Sequence, residues 1–369
     1  MKLSCLQENL AAALSIVGRA IPARTAMPVL SNVLLRTEQG HLKFSATDLE
    51  LSIIHWIDAR VEREGAVTVP ARRFADLVNS LPSDPVSLTL DVETLSLALK
   101  CASLKAKFRG IPAEEFPIVP ESSEEEGITV AASDLRLALG HVIFAASEDD
   151  SHPVLTGVLM EFEGQTLTLV AADGFRLSMQ TVPLVHPMPE PFSVIVPARA
   201  LSELVRVLSK REEPVRITKT RPHNQILFHL QDTVLNSQLI DGHFPDFRRL
   251  VPQSFNTRIV LEREAFLQTC KQVAIFARGA GDVVDLQVQA GELLMSATAD
   301  EFGEGHKSMA ASVEGEDLEI TFNVRYLIEV LSELSAPQVA IEMQTPTTPG
   351  VLKAVGDETF THVIMPIRP

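Results

Sequence analysis

Cysteine is scarce in this chain. Three thiols, Cys5, Cys101 and Cys270, are spread over 369 residues. They are odd in number and too scattered for a disulfide framework, a pattern that fits a reducing cytoplasm. Long apolar runs are also missing. None reaches the roughly 18–20 residues needed to span a bilayer, and Met1 to Ala13 lacks the basic-then-apolar order of a secretory signal. Basic residues are not in excess either. The formal net charge is −16, and as a sum this argues against nucleic acid, because phosphate contacts need Lys and Arg. Catalytic signatures are absent too. There is no phosphate-binding Gly-Lys-Ser/Thr loop, and Gly279-Ala280-Gly281-Asp282 has no third glycine and follows a helical segment where a dinucleotide loop follows a strand. The ten histidines form no His-Glu-x-x-His or other close metal pair. Enzyme activity, cofactor and metal are therefore not expected.

What is present is a well-mixed globular chain, 46% hydrophobic and 22% charged, so global disorder is excluded. At about 100–200 residues per domain, its length allows two or three domains. The strongest internal signal is a threefold repeat. Val69-Pro70-Ala71-Arg72 running to Leu77, Val78 and Leu81 returns as Val196-Pro197-Ala198-Arg199 with Leu204, Val205 and Leu208. It returns again as Phe322-Asn323-Val324-Arg325 with Val330, Leu331 and Leu334, at offsets of 127 and 126. Each copy keeps one Arg at its fourth place and an apolar face at helical spacing. Pro70 and Pro197 suit the first turn of a helix, and Asn323 suits a cap. Strand-like runs follow at Val86–Leu90, Val215–Lys219 and Val339–Met343.

A second element recurs, ending in Asp48, Asp173 and Asp300, which points to a shared turn rather than to one catalytic acid. Amphipathic helices open the units near Leu6–Ala20, Ser133–Ser147 and Arg263–Arg278. A period near 125 is the size of a domain and too long for a solenoid. The boundaries expected are 1–127, 128–255 and 256–369, with the acidic stretch at 121–127 as one linker. Alternating stretches such as Ser103 to Arg109 favour antiparallel strands. The fold class expected is α+β, three similar domains, each with two helices on one face of a sheet.

On these residues the chain resembles the β subunit of bacterial DNA polymerase III, the DNA sliding clamp family. The most specific stretches are Ile21-Pro22-Ala23-Arg24 with Pro28-Val29-Leu30, then Ala172 to Leu177, Leu239 to Leu250, Phe322 to Leu327, and Met365-Pro366-Ile367-Arg368. The resemblance covers the full length. It implies a head-to-tail homodimeric ring, helices lining a central hole and sheets outside, that encircles double-stranded DNA without reading its sequence. It also implies tethering of the replicative polymerase, the clamp loader, other polymerases and repair proteins through short linear motifs, with no membrane partner.

The charge distribution agrees with that implication. Six segments taken as hole-lining (7–24, 72–81, 133–147, 197–211, 263–278 and 323–334) hold 13 Lys/Arg against seven Asp/Glu, which leaves −22 on the rest of the chain. A basic lining inside an acidic exterior attracts phosphates without reading bases. By family position Arg24 and Arg199 are the first DNA-contact candidates, followed by Arg72, Arg73 and Arg278. A solvated helix face is the plain alternative for any one of them. A repeat-built interaction scaffold without a DNA role is the alternative for the whole.

Two further sites follow from the resemblance. A partner-peptide pocket between the second and third domains maps to Leu155, Ala172, Phe175, Arg176, Leu177, Pro245, Arg249, Leu250, Asn323, Tyr326, Thr348, Val363, Met365, Pro366, Ile367 and Arg368. Leu177, Leu250, Val363 and Met365 offer an apolar hole, and Arg176, Arg249 and Asn323 offer bonds to a peptide. The alternative for each apolar member alone is ordinary core. Three positions depart from the family pattern: Ala172 stands where Thr is usual, Phe175 where His or Tyr is, and Pro369 where a large apolar residue ends the chain. The ring-closing contact maps to the strand carrying Lys105, Lys107 and Phe108, with Val78, meeting Ile275, Phe276, Asp300, Glu301 and Glu304 of another protomer. Lysines on an edge strand also serve simply to block unwanted pairing.

Overall fold

The structure is a computed structural model that describes residues 1–121, 127–188, 190–209, 211–220, 224–279, 281–299 and 303–367. Six helices appear where the repeat places them: α1 (Gln7–Val17), α2 (Ala71–Asn79), α3 (Ala132–Ile143), α4 (Ala198–Leu208), α5 (Arg263–Ala277) and α6 (Val324–Glu333). α1 buries Leu10, Ala13, Leu14 and Val17, one stripe at helical spacing. Asn323 caps α6, its side chain accepting from Arg325 N at 2.9 Å. Pro70 and Pro197 lie one place earlier than expected, closing the strands Ala66–Pro70 and Phe192–Pro197 immediately before α2 and α4.

Every strand pair among the described residues is antiparallel, and the three repeats are gathered into two compact units. The first joins Met1–Ala132 with Arg206–Leu239, and the second joins Ser133–Val205 with Ile240–Pro369. In the first unit a five-stranded sheet runs Arg60–Arg63, Lys2–Leu6, Pro85–Asp91, Ser96–Cys101, Leu104–Arg109. An eight-stranded sheet runs Ile128–Val130, Val215–Thr220, Gln225–His229, Thr233–Gln238, Leu51–Asp58, His41–Thr47, Asn32–Glu38, Ala66–Pro70. In the second unit a nine-stranded sheet runs Phe192–Pro197, Gly157–Glu163, Thr166–Ala172, Arg176–Pro183, Phe360–Ile364, Gly350–Ala354, Gln338–Met343, Thr257–Glu262, Ser312–Gly315. A four-stranded sheet runs Gly303–Ala310, Glu292–Ala299, Val283–Gln289, Leu318–Asn323.

The expectation of one sheet per repeat is therefore corrected. Each repeat divides its strands between two sheets, and the middle repeat is shared by both units. The cause is edge satisfaction. A strand group left alone would expose unpaired N–H and C=O groups, and pairing it with the neighbouring repeat removes that edge. Three further edges are covered by the chain leaving a repeat: Thr68 and Ile111 exchange backbone bonds at 3.1 and 3.2 Å, and Ile240 N donates to Ile195 O and Ile367 N to Thr321 O, each at 2.9 Å. This strap recurs three times, a regularity that the residue pattern by itself does not reveal.

Candidate functional site

Two seams between repeats share one backbone plan. In the first unit the strand Leu51–Asp58 pairs with Thr233–Gln238, placing Ser52 opposite Asn236 and Ile53 opposite Leu235. In the second unit Arg176–Pro183 pairs with Phe360–Ile364, placing Leu177 opposite Val363 and Ser178 opposite His362. The recurring aspartates form the turn expected of them. Asp48 Oδ1 accepts from Glu50 N and Leu51 N at 3.1 and 2.8 Å, and Asp173 Oδ1 accepts from Phe175 N and Arg176 N at 2.9 and 3.0 Å. One backbone bond then locks each seam: Gln238 N to Glu50 O, and Met365 N to Phe175 O, both 2.8 Å.

The strap-covered face of the second seam is apolar. Leu155, Ala172, Leu177 and Val363 pack in one cluster with Leu159, Val170, Phe247 and Val351. Phe175 (63% exposed) and Leu250 (40%) remain in solvent. Leu159, Val170, Phe247 and Val351 were not singled out from sequence. Their signal was the alternation of the strands 157–163 and 166–172 and the Phe244 and Phe247 spacing in the strap. Met365, Pro366 and Ile367 follow the last strand and are half-buried, Pro245 and Arg249 are exposed, and Thr348 sits in the turn after Gln338–Met343, with its hydroxyl accepting from Thr345 N at 3.0 Å. Arg368 lies outside the described residues, as does Pro369.

Arg176 points to the opposite, helix-facing side, as strand alternation requires. Three hydrogen bonds hold it. Nε bonds Asp173 at 3.0 Å, Nη2 bonds Phe144 O at 2.7 Å, and Nη1 bonds Glu329. The guanidinium also stacks on the Tyr326 ring at 4.4 Å and lies 5.4 Å from that of Phe144. Arg176 and the Asn323 cap thus tie the helix side of the seam into the frame. Arg249 pairs with Asp246 at 2.8 Å but is exposed. Beneath the pocket strands, His362 shares a 2.6 Å hydrogen bond with Ser178, and His141 Nδ1 donates to Gln180 Oε1 at 2.9 Å. Burial first, and then the Arg176 charge, push His362 down to about 3. Burial raises the Glu333 carboxyl above its usual range, and burial and the Asp173 charge raise Tyr326.

All five DNA-contact candidates, Arg24, Arg72, Arg73, Arg199 and Arg278, are exposed. Arg72, Arg73 and Arg199 lie in α2 and α4, Arg278 follows α5, and Arg24 follows α1 and its 3₁₀ turn. Arg24, Arg72, Arg73 and Arg278 make no ion pair among the described residues. Elsewhere Arg211, by contrast, is held by Asp232 at 2.6 Å and Glu213 at 3.1 Å, and Arg325 faces Asp282 at 3.9 Å. Lys210, counted with the basic lining, is outside the described residues.

Of the ring-closing candidates, Lys105 and Lys107 are exposed on the edge strand Leu104–Arg109, and Phe108 is half-buried, edge-on to Phe74 at 5.2 Å. Val78 is a correction. It is 0% exposed and its carbonyl accepts from Gln7 Nε2 at 2.8 Å, so it belongs to the core of the first unit. Ile275 is 60% exposed, Phe276 packs partly on the third-repeat core, and Glu304 is exposed on the edge strand Gly303–Ala310. Asp300 and Glu301 lie outside the described residues. No cluster of His, Cys, Asp or Glu capable of holding a metal occurs among the described residues, and no described helix is long and apolar enough to cross a membrane.

Three repeats of antiparallel strands and helices, with exposed guanidiniums and an apolar seam, define a protein of the DNA-clamp type. Comparison with known proteins identifies the family. Models of the DNA polymerase III beta subunit match along the chain, the N-terminal domain at residues 1–120, the central domain at 129–246 and the C-terminal domain at 248–368. The beta sliding clamp of Synechococcus elongatus is 35% identical over 373 residues, covering 100% of this chain and 99% of its own. The Bacillus subtilis sliding clamp structure superposes with a TM-score of 0.95 at 26% identity, covering 100% and 99%. A Pseudomonas aeruginosa clamp solved bound to griselimycin gives 0.95 at 29% identity, covering 100% of both chains. The chain belongs to the bacterial DNA polymerase III beta subunit family, the beta sliding clamps, and is a non-catalytic DNA sliding clamp serving polymerase processivity.

Proposed function

We propose that two copies close head to tail into a ring around duplex DNA and present the second seam to short peptides of polymerases, the clamp loader and repair proteins. The observation that carries this is a pair of unfinished edges. Leu51–Asp58, Arg176–Pro183 and Gly303–Ala310 are equivalent strands in the three repeats, and Leu104–Arg109, Thr233–Gln238 and Phe360–Ile364 are another equivalent set. Two of the three possible pairings are made within the chain. Gly303–Ala310 and Leu104–Arg109 remain at sheet ends, and only another protomer supplies the third pairing in a closed head-to-tail assembly. Exposed ion pairs contribute only about 0–1 kcal/mol each, so strand pairing and burial of Ile275 carry the closure. The domain limits 1–127, 128–255 and 256–369 belong to this reading, as does a cytoplasmic location for a protein whose cysteines are free and buried.

Free Arg24, Arg72, Arg73 and Arg278, with Arg199, support weak phosphate contact, and topology supplies retention. The test is loading onto nicked circular DNA in moderate salt, followed by linearisation. Retention on the circle and release from the cut DNA is the expected result. Equal retention on linear DNA refutes the ring, and no retention on either favours a scaffold without a DNA role.

A further inference from the structure

We propose that the strap-covered face of the eight-stranded sheet holds a second docking notch, for an acidic peptide of a partner protein whose carboxylate replaces Glu121 at Lys43. The notch is a cavity of about 140 Å³ lined by Arg36, Lys43 and Ser45 of the sheet and by the strap Phe116–Val119 with Glu121. At about 30 Å³ per water, it has room for an acid side chain, and it is well below the roughly 300–1,000 Å³ of a small-molecule site.

The chemistry of its floor selects the occupant. Lys43 Nζ is carried on a side chain only 7% exposed, and a buried ammonium needs a carboxylate partner. The chain supplies its own. Glu121 pairs closely with Lys43 from the strap, with Glu38 at 3.4 Å. Arg36 adds an exposed guanidinium with no ion pair among the described residues, so an incoming acid meets a second cation. Ile118, 99% exposed, stands at the rim. An apolar contact beside a carboxylate is thus on offer, while Ser45 and Arg36 exclude a purely apolar anchor. Glu121 is carried on the strap, whereas Lys43 and Glu38 are carried on the sheet, so its exchange leaves the strands intact.

Trp56, the single tryptophan, lies with Lys43 Nζ 5.6 Å from its ring centroid and reports the exchange directly. The capped peptide acetyl-Leu-Glu-Leu-Glu-Leu-Glu-amide is titrated into the full chain while Trp56 emission is followed. A saturable change is expected, tightened at least fivefold by Glu121→Gln, abolished in Lys43→Met, and weakened severalfold by Ile118→Ser. The Gln-for-Glu peptide should give none. No saturable change in Glu121→Gln at millimolar peptide overturns the proposal, even if Lys43→Met proves unstable. Equal saturation by inorganic phosphate also overturns it, by making the notch a general anion site. Leu177→Ala leaves this signal unchanged, so the result stands apart from the docking assigned to the second seam.

Discussion

The two seams have the same turn, the same locking bond and the same antiparallel register, yet opposite polarity. On the strap face the second seam presents Val170, Ala172, Leu177 and Val363 where the first has Ser45, Thr47, Ser52 and Asn236. On the helix face the pattern reverses, with Ser178 and His362 in place of Ile53 and Leu235. Because side chains alternate, a one-residue slip would exchange the two faces completely. The polar pair Ser178–His362 and the bond from Gln180 Nε2 to Thr359 Oγ1 at 2.6 Å form only in the observed register. They fix the strands that carry the apolar pocket. An apolar seam thus arises from the backbone plan by changing which face is apolar, with no new element.

The most disruptive test of this comparison addresses the third, intermolecular seam. Ile275→Lys places a charge where apolar burial is proposed. The protein should run as a monomer in light scattering at concentrations where the parent is a dimer, and a surviving dimer rejects the assigned contact. Next, Leu177→Ala with Met365→Ala should weaken partner-peptide binding at least a hundredfold in calorimetry while the dimer remains. The matching change in the first seam, Ser52→Ala with Gln238→Ala, should leave that affinity unchanged. Truncating buried Leu177 also costs about 2–5 kcal/mol of stability, which a denaturant titration measures separately.

Acid should weaken the second seam. His362 ionises near 3 in the folded chain and near 6.5 when unfolded. Between those values the unfolded state binds a proton that the folded state refuses, so stability is full above about pH 6.5 and falls as pH is lowered. The slope is about 1.4 kcal/mol per pH unit for one such group. His362→Leu should lose stability at pH 7, where Ser178 loses its partner, and show a shallower decline toward pH 4 in urea midpoints. A parallel acid limb would show that His362 does not set it.

Smaller effects follow. Arg24→Ala or Arg72→Ala should lower the salt dependence of DNA binding by about 0.9 in log–log slope for each phosphate no longer neutralised, with no change in sequence preference. The smallest is Asn236→Leu. Asn236 is buried, its Oδ1 has no partner among the described residues, and its Nδ2 donates to Gln225 Oε1 at 3.1 Å. Removing an unsatisfied acceptor offsets the missing bond, so stability should change by less than about 1 kcal/mol, and a drop of about 3 kcal/mol would reveal a role for that oxygen.

Much of this was legible in the residues themselves. The Val-Pro-Ala-Arg repeat located α2 and α4, its Phe-Asn-Val-Arg counterpart located α6, and the aspartates Asp48 and Asp173 made their turns, because helical spacing and Asx chemistry act within a few residues. The family resemblance, rather than composition, singled out the exposed arginines on or beside helices. Tertiary structure alone decided that each repeat gives half its strands to a neighbour, that Val78 is core, and that Arg176 is locked between Phe144, Tyr326, Asp173 and Glu329. Those outcomes depend on partners more than a hundred residues away or on burial, and local sequence patterns do not encode either.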